Sequence, residues 1–339
     1  MMTFKKTYLI FVILLVALTC CIIDAKATDY EAAYVLTDRT TYIAGESVFY
    51  KLYLLDAATK KPSDISKVGY VLLRAANLNP ILKIQVKVDD GIASGSFVIP
   101  DTLKSGAYQI VAFTSLMRNF GEQHFFNKEI LIANRFDKEL DFILTNSRLN
   151  DSIVSQPDDR VLQIKTDKQV YGSREKVMVS LGKIKSKANV AVSVFEDPQI
   201  SSTDKSIVES LRDISVTPTY KPVTNNYIPE STGKILRGRV IDSTTQERVQ
   251  AAIVLLSCID TIANLQYSST NSNGKFQFLL SDYYNGKELF FTIKDVPDNK
   301  RWKIEIEDEF VVKEKWKPSI IINKSYSKEF VIKSQDIVY

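Results

Sequence analysis

The chain has 339 residues, of which 45% are hydrophobic and 25% charged, with 44 Lys and Arg against 40 Asp and Glu. That length suits two or three domains rather than one, and the composition supplies ample material for their cores. A net charge of +4, with both signs interspersed, argues against a nucleic-acid surface, which would concentrate basic residues. Residues 1–27 read as a signal peptide: Lys5 and Lys6 form a basic start, Tyr8 to Leu18 is almost unbroken apolar sequence, and Ala25-Lys26-Ala27 is an A-x-A cleavage site. The apolar run is short for a membrane span of about 20 residues. A lipoprotein reading through Cys20 or Cys21 competes, but Thr19 or Cys20 is a poor small residue before the modified cysteine. Without Lys5, Lys6, Lys26 and Asp24 the mature chain keeps 41 basic and 39 acidic side chains and one cysteine, Cys258. An intrachain disulfide is then impossible. Cys258 lies in the apolar run Ala251 to Ile259 and is expected to be a buried small hydrophobe. An exported chain of this kind points to a bacterial envelope.

From Tyr30 to Arg135 short alternating runs are broken by turn residues. Strands are expected at Ser47 to Leu55, Val68 to Arg74, Ile81 to Val88, Ile92 to Ile99, Ala107 to Thr114 and Gln123 to Ala133. Asp89-Asp90-Gly91 is a hairpin signal. Regular short strands of this spacing make a β-sandwich. Its opening motif, Thr37 to Val48 (TDRTTYIAGESV), returns without a gap at Thr166 to Val177 (TDKQVYGSREKV). Thr37, Asp38, Tyr42, Glu46 and Val48 match Thr166, Asp167, Tyr171, Glu175 and Val177, and Arg39 stands against Lys168. A constant offset of this size is a domain-scale duplication.

TDRTTYIAGESVFYKLYL, with Lys104-Ser105-Gly106-Ala107-Tyr108 and the corner Ser115 to Gly121, resembles the second macroglobulin (MG2) domain of the alpha-2-macroglobulin family. It resembles more closely still the envelope proteins of Bacteroidetes-type bacteria that begin with that domain. The resemblance covers residues 30–135 and, less fully, 160–197. Members of that family are usually longer, many continuing into regions linked to outer-membrane transport, so the chain is expected to be a truncated relative. Gly121-Glu122-Gln123 is similar to the thioester motif by which macroglobulins trap proteases. Phe120 occupies the position of its cysteine, and the domain is not the one that carries the thioester, so a turn leading into a strand is expected.

Residues 136–160 read as a linker or loose edge. In the second copy, strands are expected at Val161 to Lys165, Lys176 to Leu181 and Asn189 to Phe195. A Ser-, Thr-, Asn- and Pro-rich stretch follows to Gly233, within which Asp204 to Arg212 has the spacing of a short helix. From Gly233 the pattern changes. Lys234 to Asp242, Val249 to Ser257 and Tyr267 to Thr270 are strands, and Asn271-Ser272-Asn273-Gly274 turns into Lys275-Phe276-Gln277-Phe278. Gly274 supplies a positive φ, and Phe276 and Phe278 share one face. This run resembles the carboxypeptidase regulatory-like, transthyretin-like domain, which implies a fold and says almost nothing of activity. The tail from Trp316 either completes the second macroglobulin-like copy, making residues 201–314 an insertion, or begins a helix.

The expected architecture is all-β: tandem immunoglobulin-like, macroglobulin-type β-sandwiches plus a transthyretin-like β-sandwich. Its divisions are signal peptide 1–27, MG2-like sandwich 28–135, second macroglobulin-like domain 136–200 (completed by 315–339 on one reading), linker 201–233, regulatory-like sandwich 234–314 and tail 315–339. No residue is assigned a catalytic, cofactor-binding or metal role. His124, expected in the strand Gln123 to Phe126, has no companion Cys, His or carboxylate at ligand spacing. Tyr283, Tyr284 and Trp302 form either a sugar-stacking patch or ordinary sandwich packing. The expected role is a non-enzymatic exported scaffold or partner-binding module in the periplasm or at the outer membrane, bound to a protein of either. A glycan- or peptide-binding accessory in nutrient uptake is the alternative. A macroglobulin-like protease inhibitor would lack the thioester, with 198–232 as its only candidate bait segment.

Overall fold

The computed structural model describes residues 30–76, 80–137, 164–182, 227–258, 264–280, 288–297, 300–310, 312–313 and 315–318. Expectations for the leader, for Asn189 to Phe195, for Asp204 to Arg212, for Tyr283 and Tyr284 and for most of the tail fall outside these residues. What is described is almost wholly β, in several sheets with sandwich packing.

The first sandwich contains β1 (Glu31–Thr37), β2 (Thr41–Ile43), β3 (Ser47–Asp56), β4 (Val68–Arg74), β5 (Pro80–Lys87), β6 (Ile92–Val98), β7 (Gly106–Phe113) and β8 (Phe126–Ala133). One sheet runs β1-β3-β6 and the other β2-β8-β7-β4-β5. Alternation along each strand turns one set of side chains inward, so Leu52 and Leu54 of β3 share a core with Val71, Leu73, Ile110, Ile130 and Ile132. The sheets are close at β4: a Cβ on Gly69 would run into the Leu52 side chain. The hairpin at Asp90 and Gly91 has positive φ at both positions (49° and 73°), as a tight two-residue turn requires.

Gln123 to Ala133 is not one strand. Gly121 has φ 99°, Glu122–His124 forms a 3-10 turn, and the strand begins only at Phe126. His124 therefore sits in that turn, its ring edge-on to Tyr30 at 5.8 Å. Partial burial lowers its pKa. The turn expected at Gly121 to Gln123 thus runs on through His124, and Phe125, which read as strand, is buried against Phe113 outside the ladder.

The duplicated motif folds the same way twice. In the first copy Tyr42 Oη donates to Asp38 Oδ1 (2.8 Å), which also accepts from Phe49 N (3.0 Å), and Ile43 N donates to Glu46 Oε2 (2.7 Å). In the second, Tyr171 Oη donates to Asp167 Oδ1 (2.7 Å), Met178 N to the same oxygen (2.9 Å) and Gly172 N to Glu175 Oε2 (2.7 Å). Thr37 and Thr166 each donate at 2.7 Å to the carbonyl two residues on. Arg39–Glu46 recurs as Lys168–Glu175. The second copy continues into a two-stranded ladder of β9 (Ile164–Thr166) and β10 (Val179–Leu181).

The last sandwich contains β11 (Lys234–Asp242), β12 (Ile253–Cys258), β13 (Asn264–Ser269), β14 (Lys275–Leu280), β15 (Leu289–Ile293) and β16 (Trp302–Ile306). Its sheets run β14-β11-β16 and β13-β12-β15. Leu236, Val240, Val254, Leu256, Phe276, Phe278 and Leu280 fill the space between them. Gly274 has φ 70° and Cys258 is buried.

Candidate functional site

Every residue of β4 is buried, on both faces. One face belongs to the core between the sheets. The other, carrying Tyr70, is covered by chain from far away. Residues 227–230 form one strap that leaves the last sandwich and lies on the first, and residues 307–310 with 312 and 313 belong to another. Phe310 and Val312 join the first sandwich's core. Phe310 stands edge-on to Tyr70 at 5.4 Å, and Tyr70, Phe113 and Phe125 stack in line at 5.3 and 4.4 Å. Aromatic pairs in these geometries contribute beyond the area they bury.

The polar half of the junction centres on Glu230, which is 1% exposed. Its carboxyl meets Tyr70 Oη at 2.8 and 3.0 Å and accepts Ile235 N at 2.7 Å, while its carbonyl accepts Lys67 N at 2.7 Å. Burial, and next the charge of Glu309, push its pKa up to about 7 against the pull of its hydrogen bonds and of Arg237. Tyr70 is driven far above the ordinary phenol range by burial and by the same two carboxylates. Glu309 is paired with Lys234 (3.2 Å) and lies 3.9 Å from Arg237 Nη1, too far for a hydrogen bond. Both terminal nitrogens of Arg237 and Oε1 of Glu309 are buried without a hydrogen-bond partner. Tyr227 is held by a reciprocal pair with the buried Asn119, N to Oδ1 and Nδ2 to O, both 2.7 Å. The Arg118 guanidinium lies 3.9 Å from the Tyr227 ring centre. Lys83–Asp308 (2.5 Å), Arg118–Glu307 (3.4 Å) and Lys313 N to Glu122 (2.7 Å) tie the second strap down. The exposed Lys83–Asp308 pair contributes little beside the buried groups.

A second feature lies within the last sandwich. β15 and β16 are the edges of its two sheets, and the seam between them is an open groove of about 510 Å³. Leu289, Phe290, Phe291, Ile293, Val296, Trp302, Ile304 and Ile306 line it. Trp302 lines this groove and packs, partly buried, against the last sandwich's core, while Tyr283 and Tyr284, expected beside it, lie outside the described residues. Elsewhere the carboxylate of Glu31, fully buried, accepts from Ser63, Ser66 and Thr114 within the first sandwich. Among the described residues no three His, Cys, Asp or Glu side chains are grouped to hold a metal ion. No described helix is long and apolar enough to cross a membrane.

Sequence reasoning assigned no role to Glu230, Tyr227, Phe310 or Val312. The available signals were Tyr227-Ile228-Pro229-Glu230 inside a polar stretch and Phe310 to Val312 among charges.

No family model matches the chain, and no curated protein does. Among solved structures, Salmonella alpha-2-macroglobulin reacted with methylamine aligns at TM-score 0.26 and 9% identity, over 82% of this chain and 15% of that one. Native E. coli alpha-2-macroglobulin aligns at TM-score 0.27 and 9% identity, over 83% and 14%. A Listeria innocua beta-glucosidase in complex with glucose aligns at TM-score 0.21 and 15% identity, over 31% and 16%. The chain therefore spans about a seventh of the macroglobulins it is similar to.

Proposed function

We propose that this chain is an exported, non-enzymatic scaffold of the bacterial envelope, which holds a protein partner of the periplasm or outer membrane on macroglobulin-type and transthyretin-like sandwiches. The observation that supports this reading is the junction. Two straps from one sandwich bury Phe310, Val312 and Glu230 against the other, so that side chains flanking the last sandwich complete the packing of the first. Such an arrangement fixes the spacing and angle of two β surfaces, which a module presenting a partner needs. A mobile linker would have left those residues exposed and polar. The glycan-binding alternative finds less support, since the side chains lining the open groove are all apolar, whereas a sugar site fixes its ligand with a few well-placed polar groups; the groove's hydrogen-bonding groups come from backbone along the sheet edges. Cross-linking pull-down with the mature chain from envelope fractions of a Bacteroidetes-type bacterium tests the proposal. Recovery of one outer-membrane or periplasmic protein, lost when the junction is loosened, supports it. Absence of any protein partner, with retention on a polysaccharide or peptide column, overturns it.

A further inference from the structure

The edge strand β16 carries a sequence complementary to its own reverse. Lys300, Arg301 and Lys303 lie on one side of Ile304, and Glu305, Glu307 and Asp308 on the other. Among the described residues β16 pairs with β11 on one side only, and its register with β11 is unbroken from Trp302 to Ile306. Glu307 N donates to Arg237 O, and Ser243 N donates to Arg301 O. Antiparallel ladders alternate, so residues 301, 303, 305 and 307 direct their backbone groups to β11. Trp302, Ile304 and Ile306 direct theirs to the open edge. The same three side chains line the groove, while Lys303 and Glu305 lie on the opposite face.

We propose that β16 pairs antiparallel with β16 of a second copy, about a twofold axis at Ile304. Two three-stranded sheets then become one of six strands, and the two apolar seams face each other. The register follows from the residues. With Ile304 opposite itself, the outward N–H and C=O groups of Trp302, Ile304 and Ile306 all find partners. Trp302 meets Ile306, and Lys303 meets Glu305 twice in the closely spaced, non-hydrogen-bonded position. Arg301 falls opposite Glu307. A slip of two residues sets Lys303 against Lys303 or Glu305 against Glu305, and a slip of one leaves the backbone groups out of phase. A contact in which the same patch serves both subunits is the ordinary form of a closed dimer. Exposed edge strands are usually blunted by a bulge, a proline or a lone charge. β16 has no proline or register shift, and its edge lysine is answered by a glutamate two residues away.

Sedimentation velocity on the chain from residue 28 tests this, at low salt and across a wide range of concentration. The wild type is expected to dimerise. Lys303→Glu alone, or Glu305→Lys alone, is expected to weaken the dimer by about tenfold or more, through like charges directly opposed. Both substitutions lie at exposed or half-exposed positions, and circular dichroism confirms that each variant folds. Combining the two in one chain restores complementarity and the dimer. Mixing the two single variants gives a heterodimer that neither forms alone. A wild type that stays monomeric overturns the proposal and leaves the seam to another occupant. So do single variants that dimerise like the wild type, or a double variant that does not recover.

Discussion

Replacing Glu230 with Gln isolates the energetic weight of the junction. The amide that results keeps an oxygen for Ile235 N and a partner for Tyr70 Oη but cannot ionise. In the folded chain the Glu230 carboxyl is raised from 4.5 to about 7, so the folded state holds this proton more tightly than the unfolded one. The contribution is therefore fully present below about pH 4.5 and is lost as the pH rises to about 7. At 1.36 kcal/mol for each pKa unit, the loss across that window is about 3 kcal/mol. Thermal unfolding followed by calorimetry from pH 5 to 8 should show the wild type losing stability with rising pH relative to Glu230→Gln. Above pH 7 the variant should be the more stable of the two. Parallel pH profiles would refute the reasoning, because they would mean that Glu230 is solvated or that Arg237 already neutralises it.

Two further substitutions probe the turns. Asp38→Ala removes the acceptor for Phe49 N and one partner of the fully buried Tyr42, and should cost about 2–3 kcal/mol in urea unfolding; Asp167→Ala, in the exposed second copy, should leave the main transition unmoved. Gly274→Ala forces an L residue to φ 70° with its Cβ 2.8 Å from Val240 O, and should lower stability by about 2 kcal/mol in the same assay.

Strands, hairpins and the duplication were legible because each is encoded locally. Alternation sets a strand, Asp90-Gly91 and Gly274 set turns, and Thr, Asp, Tyr and Glu at fixed offsets close the repeated loop upon itself. The turn at Gly121 to Gln123 was legible from its glycine, but it runs on through His124, and the strand start was placed too early because Phe125, which packs against Phe113 outside the ladder, looks like a strand residue. The junction was illegible for a different reason. Glu230 and Tyr70 lie 160 residues apart, and a glutamate in a polar stretch gives no local sign that it will be buried. Phe310 read as the end of the last sandwich, yet it completes the first. A core that recruits side chains from beyond a whole intervening unit leaves no periodic trace. The pairing edge is intermediate: its charge reversal about Ile304 is plain in the sequence, but only the register with β11 shows which backbone groups face outward.

The junction and the proposed dimer edge share one strand, and this makes them testable together. β16 presents its open edge from Trp302 to Ile306, Glu307 N is fixed to Arg237 O, and Phe310 sits in the first sandwich's core four residues after Ile306. Phe310 is 8% exposed, and truncating a buried phenylalanine to Ala costs about 3–5 kcal/mol. Phe310→Ala should therefore release the strap, free Glu307 from Arg118, and let the C-terminal end of β16 fray where Ile306 and Glu307 would meet the second copy. Limited proteolysis should show new cleavage between residues 307 and 313, and sedimentation should show a dimer weaker than that of the wild type. Cleavage without any change in association would separate the two features: the strap would then stabilise the junction alone, and the register of β16 would be held by β11 without help from the first sandwich.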